Sequence, residues 1–152
     1  MADERALQYY QRTNFVLVEF DIDVSEKEMD EALYRLLNRG YVPIIAHAER
    51  YRKVRLKKLL VFSKMGVLIQ ANTDMLSLGY FAGRRLHIML RHHLVDFMSS
   101  DAHNMKSRAP VMKDAYELVS LKYGEEYAKA ICRENALKLF SKNRKAEIED
   151  GQ

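Results

Sequence analysis

The chain has 152 residues, 48% hydrophobic and 30% charged, enough for one ordinary globular domain with its own core. No apolar run approaches the ~18 residues needed to span a bilayer, and Met-Ala-Asp-Glu-Arg at the N-terminus does not read as a secretory signal. The single cysteine, Cys132, excludes an intramolecular disulfide framework and any Cys-rich zinc module, so a cytoplasmic protein is expected. The net charge of +4 is unevenly spread: Arg50, Arg52, Lys53, Arg55, Lys57 and Lys58 place six cations in nine residues, and Arg84, Arg85, Arg91, His87, His92 and His93 form a second group. Such runs either attract anionic partners or form a solvated helix face.

In chain order, Asn14–Phe20 is a near-continuous apolar run that reads as a buried strand. Ser25 and Glu28 match a capping box, Met29, Ala32, Leu33, Leu36 and Leu37 follow at helical spacing, and Gly40 stands where a left-handed C-terminal residue is wanted. Tyr41–Ala46 is a second strand, a basic helix covers Lys53–Lys64 before Gly66, and Val67–Asn72 is a third strand. A helix is predicted over Met75–Arg91, a fourth strand over Leu94–Ser99, and a further helix after Pro110. Two short helices, Glu125–Cys132 and Glu134–Phe140, precede a polar tail, Ser141–Gln152, expected to be frayed, while Ala2–Gln11 reads as the end of a helix. Strands alternating with helices predict an α/β chain with a parallel sheet, either a small open sheet or a portion of a (β/α) barrel.

In such folds ligands bind beyond the carboxyl ends of the strands. Glu19 ends the first strand, His47 follows the second, Asn72 and then Asp74 follow the third, and Asp101 and His103 follow the fourth. Glu19, His47, Asp101 and His103 together make a mixed carboxylate–imidazole donor set suited to Mn, Zn or Fe rather than Ca. Taken singly, each has a plainer role: His47 as a packed histidine, Glu19 as an arginine partner, Asp101 as a turn cap. Arg50 lies three residues past His47 and Arg108 five past His103, where planar guanidinium forks could grip a phosphoryl group. Arg50 could equally pair with Glu49. There is no Gly-x-x-x-x-Gly-Lys loop, Gly-x-Gly-x-x-Gly or Gly-x-Ser-x-Gly, and Cys132 lacks the arginine spacing of a cysteine phosphatase.

Val16-Leu17-Val18-Glu19-Phe20, then Gly40–Tyr51 with its His-Ala-Glu-Arg, then Ser100-Asp101-Ala102-His103-Asn104 form an ordered series. The series resembles the PHP (polymerase and histidinol phosphatase) superfamily, and within it the bacterial manganese-dependent protein-tyrosine phosphatases of capsular and exopolysaccharide loci, the CpsB/CapC type. The resemblance implies a distorted TIM-like (β/α) barrel with residues 1–140 as its partial domain, metal ligands at Glu19, His47, Asp101 and His103, and phosphate-binding, catalytic arginines at Arg50 and Arg108. It further implies manganese as the metal and a phosphotyrosine protein, a bacterial tyrosine kinase, as the substrate. The family's usual His-Pro-Glu-Arg reads His-Ala-Glu-Arg here, and its leading His-x-His strand has no counterpart. The chain therefore reads as the C-terminal part of such an enzyme, expected to self-associate or to pair with a complementing N-terminal chain, with no membrane or nucleic-acid partner. Two alternatives stand beside the phosphatase: a non-catalytic remnant that binds phosphotyrosine, and a phosphoesterase acting on a small molecule or nucleic acid.

Overall fold

The computed structural model describes residues 8–9, 14–77, 83–100 and 111–139. Asp101, His103, Arg108 and the tail 141–152 lie outside the described residues. The order is β1 (Gln8–Tyr9), β2 (Phe15–Val18), α1 (Glu26–Asn38), β3 (Val42–Ile45), a 3-10 turn (Ala48–Arg50), α2 (Leu56–Lys64), β4 (Leu68–Asn72), α3 (Asp74–Ser77), α4 (Arg84–Arg91), β5 (Phe97–Ser99), α5 (Val111–Tyr123) and α6 (Glu125–Lys129).

The five strands follow one another across the sheet in sequence order, with β2 to β5 parallel and β1 antiparallel to β2. Doubly wound sheets reverse their strand order at a switch point, whereas sequential parallel strands are the arrangement of a (β/α) barrel wall. The helix expected over Ala2–Gln11 is corrected at Gln8 and Tyr9, which pair with Leu17 and Val16. Pairing with the open edge of β2 satisfies backbone groups on both strands, an outlet that local helical pattern does not register. Pro43 is tolerated in β3 because Val42 N–H is directed to Asn14 O, so position 43 faces β4, where pairing begins only at Ile44.

Paired residues share a face, so Val16, Val18, Ile45, Ile69 and Ala71 lie on the helix-covered side. There Met29, Leu33, Leu59, Phe62, Met89 and Leu90 close the core. The other face carries Leu17, Ile44, Gln70, Asn72 and Ser99, and it leads up to the strand ends. The capping box at Ser25 and Glu28 forms as expected. Helices α1, α2 and α4 all end in the same two-bond left-handed motif, at Gly40, Gly66 and His93 respectively.

The helix expected over Met75–Arg91 is interrupted at Gly83, the N-cap from which α4 starts afresh; residues 78–82 lie outside the described residues. The break expected near Arg133 is absent: α6 runs into a π turn at Ala130–Glu134 and on through 135–139. Three members of the basic run have counter-charges near α1, with Lys53 pairing to Asp23, Arg55 to Glu26 and Lys58 to Asp30. His87 is buried with its Nδ1 2.6 Å from Tyr123 Oη, and His92 and His93 are exposed, so this trio packs or faces solvent. Among the described residues no helix is long and apolar enough to cross a membrane.

Candidate metal and phosphate site

β2 delivers Glu19 one residue past its end, on the same face as Leu17. β3 delivers His47 through a sharp departure from the strand, with its backbone left-handed at φ 35° and ψ 51°. A non-glycine residue held there is costly, and it persists because its surroundings over-determine it. His47 N–H donates to Gln70 Oε1 at 2.6 Å, and Gln70 is held in turn, its Nε2 donating to Asn72 Oδ1 and Ser99 Oγ at 2.7 Å each. Behind the imidazole stands Tyr51, fully buried, its ring 5.5 Å from that of His47. Phe20 N–H donates to Tyr51 Oη at 3.0 Å, which ties the exit of β2 to the loop after β3. Burial pushes the Tyr51 phenol up to about 12, so it stays protonated throughout the neutral range.

These supports bring His47 Nε2 to 2.9 Å from Glu19 Oε1. The imidazole is largely covered and the carboxylate is open to solvent, at 13% and 58% side-chain exposure. His47 Nδ1 is buried with no hydrogen-bond partner among the described residues. One nitrogen and one carboxylate converging at a strand-end rim fit a divalent cation by donor chemistry. They are two donors; no group of three or more candidate metal ligands occurs among the described residues.

The 3-10 turn after His47 sends Glu49 inward and Arg50 outward. Glu49 is buried, and neither of its carboxylate oxygens has a well-aligned hydrogen-bond partner among the described residues. Desolvation therefore raises the pKa of its carboxyl above the ordinary carboxylate value, and the neighbouring Arg50 charge acts in the opposite direction. Arg50 Nε lies 3.9 Å from Glu49 Oε1, and its Nη2 lies 4.0 Å from Asp74 Oδ2 on α3. Arg85, assigned by sequence to a surface cation group, is instead partly buried: its Nη2 donates to Val54 O at 2.7 Å, and its charge interacts with Glu49.

Of the six residues singled out by sequence, the structure brings Glu19, His47 and Arg50 to one rim, and Asp101, His103 and Arg108 fall outside the described residues. The sequence reading gave no role to Gln70 or Tyr51; it offered Glu49 as a plain partner for Arg50, which the 3.9 Å contact matches, noted Asp74 beyond the third strand, and counted Arg85 only among the cations. Gln70 had a signal, as a polar residue inside an otherwise apolar strand and two positions from Asn72. Arg85 had none, because its partner is 36 residues away.

Comparison with known proteins gives a consistent result. Residues 2–141 match a sequence family described as capsular polysaccharide synthesis, CpsB/CapC. The tyrosine-protein phosphatase CpsB of Streptococcus pneumoniae is 32% identical over 140 residues, covering 84% of this chain and 56% of that protein. The tyrosine-protein phosphatase YwqE of Bacillus subtilis is 30% identical over 128 residues, covering 81% of this chain and 50% of that one. A crystal structure from work on YwqE and CpsB, described as metal-dependent tyrosine phosphatases, superposes with a TM-score of 0.67 at 28% identity, over 76% of this chain and 49% of that one. The chain thus spans about half the length of the relatives it matches.

Proposed function

The chain belongs to the CpsB/CapC family of capsular polysaccharide synthesis, and from that premise we propose that it carries part of a metal-dependent phosphotyrosine phosphatase site. The observation that carries this reading is the pairing of Glu19 with His47 at 2.9 Å on the strand-end rim, with Arg50 one turn further on. Glu19 and His47, joined by Asp101 and His103, would hold the divalent cation. Manganese is the metal inferred from the family, and the same donors accept zinc or iron. When bound, such a cation supplies Lewis acidity to a phosphoryl oxygen and to water.

The chain's own residues do the remaining work. Gln70 fixes the His47 backbone, so the imidazole meets Glu19 in one orientation. Arg50 and Arg108 would grip the phosphoryl oxygens and stabilise charge that builds on them. Hydrolysis forms a P–O bond to water and breaks the P–O bond to the tyrosyl oxygen. The departing phenolate has a conjugate acid with a pKa of about 10, so it leaves with little protonation. The substrate would be a phosphotyrosine protein, with a bacterial tyrosine kinase as the preferred candidate, in the cytoplasm.

Octahedral cations take about six donors each, and four side chains of this sequence are read as ligands. We therefore read the remaining coordination positions as filled by water or by ligands from outside these 152 residues. The test is hydrolysis of a phosphotyrosyl peptide with and without added Mn²⁺, alongside His47→Ala and Arg108→Ala. Turnover that requires Mn²⁺ and falls at least about 100-fold in both variants supports the reading. Phosphopeptide binding without turnover, still dependent on Arg108, moves the chain to a non-catalytic phosphotyrosine-binding module.

A further inference from the structure

The hydrogen-bond ladder between β2 and β3 stops just short of the candidate metal pair. Val42 N–H donates to Asn14 O and Ala46 N–H to Val18 O, so residues 14 and 18 turn their backbone groups towards β3. Alternate residues of a strand face the same neighbour, which makes Phe20 N–H the next donor on that side. Its partner strand has gone, because the chain leaves β3 at His47 with φ at 35°. Tyr51 Oη takes the donor instead, accepting from Phe20 N–H at 3.0 Å. The peptide unit is planar, so holding Phe20 N–H also restrains the backbone torsion at Glu19 that leads into it. The same Tyr51 side chain is fully buried, with its ring 5.5 Å from that of His47 and the Phe20 ring edge-on to it at 6.1 Å.

We propose that Tyr51 is a positioning residue for the candidate metal pair, holding the backbone that carries Glu19 with its hydroxyl and backing the His47 imidazole with its ring. The proposal rests on the reading of Glu19 and His47 as metal ligands. Glu19 needs such a support: its side chain is 58% exposed and lies past the last sheet pairing, Val18 with Ile45. A carboxylate that open keeps its rotamer freedom unless its backbone and its partner are both placed. Tyr51 places both, and its own backbone is held in turn. It closes the 3-10 turn Ala48–Arg50, and Val54 N–H donates to its carbonyl at 3.1 Å. Groups that orient metal ligands without touching the metal commonly account for about 10- to 100-fold in metal affinity.

Tyr51→Phe tests this by removing the hydroxyl and keeping the ring. Tyr127→Phe is the matched control, because the Tyr127 hydroxyl bonds the Val95 backbone, N–H at 3.3 Å and O at 3.0 Å, before β5 rather than after it. Mn²⁺ affinity is measured by electron paramagnetic resonance in wild type and both variants. In the metal-free chains, NOEs between His47 ring protons and Glu19 side-chain protons report the pair, and hydrogen exchange at the Phe20 amide reports its bond to Tyr51. Tyr51→Phe should bind Mn²⁺ about tenfold more weakly, lose the NOE and exchange the Phe20 amide faster, with Tyr127→Phe matching wild type throughout. Wild-type Mn²⁺ affinity or an unaltered NOE in Tyr51→Phe overturns the proposal. An equal loss in Tyr127→Phe overturns it too, since it would mark general destabilisation. If Tyr51→Phe does not fold, the wild-type chain decides: protection of the Phe20 amide supports the proposal, and no more protection than at exposed Asp21 overturns it. If wild type does not bind Mn²⁺, the metal reading falls, and the NOE still decides whether Tyr51 sets the pair.

Discussion

At His47 the backbone sits at φ 35°, where an L side chain is strained by about 1–2 kcal/mol. The strain has a geometric return: a residue leaving β3 in regular extended form would keep alternating faces, and the left-handed turn instead aims the imidazole at Glu19. Two substitutions separate the side chain from the backbone. His47→Ala keeps the strain and His47→Gly relieves it, and both remove the imidazole. Equilibrium urea unfolding should find His47→Gly more stable than His47→Ala by about 1 kcal/mol, while both bind Mn²⁺ equally poorly. Equal stability of the two would mean that the φ at position 47 stores nothing. The candidate ligands were legible in the sequence because a charged or imidazole residue directly after an apolar strand stands out. The supports were not, since Tyr51 meets Phe20 31 residues away and Gln70 meets His47 23 residues away.

Among the elements, the three helix ends preceding β3, β4 and β5 share one device. In α1, Gly40 N–H donates to Leu37 O and Tyr41 N–H to Leu36 O, and α2 repeats the pattern with Gly66 and Val67. In α4 the left-handed place is taken by His93 at φ 51°, whose ring lies 4.2 Å from that of Tyr127. Glycine announced the first two ends in the sequence; a histidine in that place carries no such mark. Gly40→Ala meets no atom within 4 Å, so its cost is conformational, about 1 kcal/mol by thermal unfolding. His93→Gly gains the same backbone term and loses the Tyr127 contact, so its net change should be smaller than that of Gly40→Ala and of either sign.

The α1–α2 contact gives a pH prediction. Arg55 donates to both Glu26 oxygens, from its backbone and Nε to Oε1 and from Nη2 to Oε2, which lowers the Glu26 carboxyl from 4.5 to about 2. A depressed folded-state value stabilises the fold above the unfolded value of 4.5, and that stabilisation is lost as pH falls from there towards about 2. Glu26→Gln should therefore be less stable than wild type at pH 7, and the two should converge near pH 2. A constant difference across that range would show that the ion pair is not the cause.

For the whole molecule, alternation of apolar strands with amphipathic helices made the parallel sheet and its helix-covered core readable, because both signals are local and periodic. The β1–β2 pairing and the uninterrupted run from α6 through 135–139 were not readable, and the start of α4 was marked in the sequence only by Gly83. The first two depend on an edge and a π turn that periodicity does not encode. Sequential strand order then does for function what no single residue can: it puts the ends of β2, β3, β4 and β5 on one rim. Glu19, His47, Asn72 and Ser99 reach that rim from four strands, linked through Gln70. The same rim explains why the acidic partners of the basic run matter. Among the described residues Lys53, Arg55 and Lys58 are matched by Asp23, Glu26 and Asp30, while Arg50 reaches Asp74 at the strand ends.

The most direct measurement is Mn²⁺ binding to the purified chain by electron paramagnetic resonance, in wild type, Glu19→Gln and His47→Ala. A rim built on this pair binds Mn²⁺ in the wild type and loses at least about tenfold in affinity with either substitution. Binding of equal strength in all three would contradict it and leave the Glu19–His47 contact as an ordinary hydrogen bond.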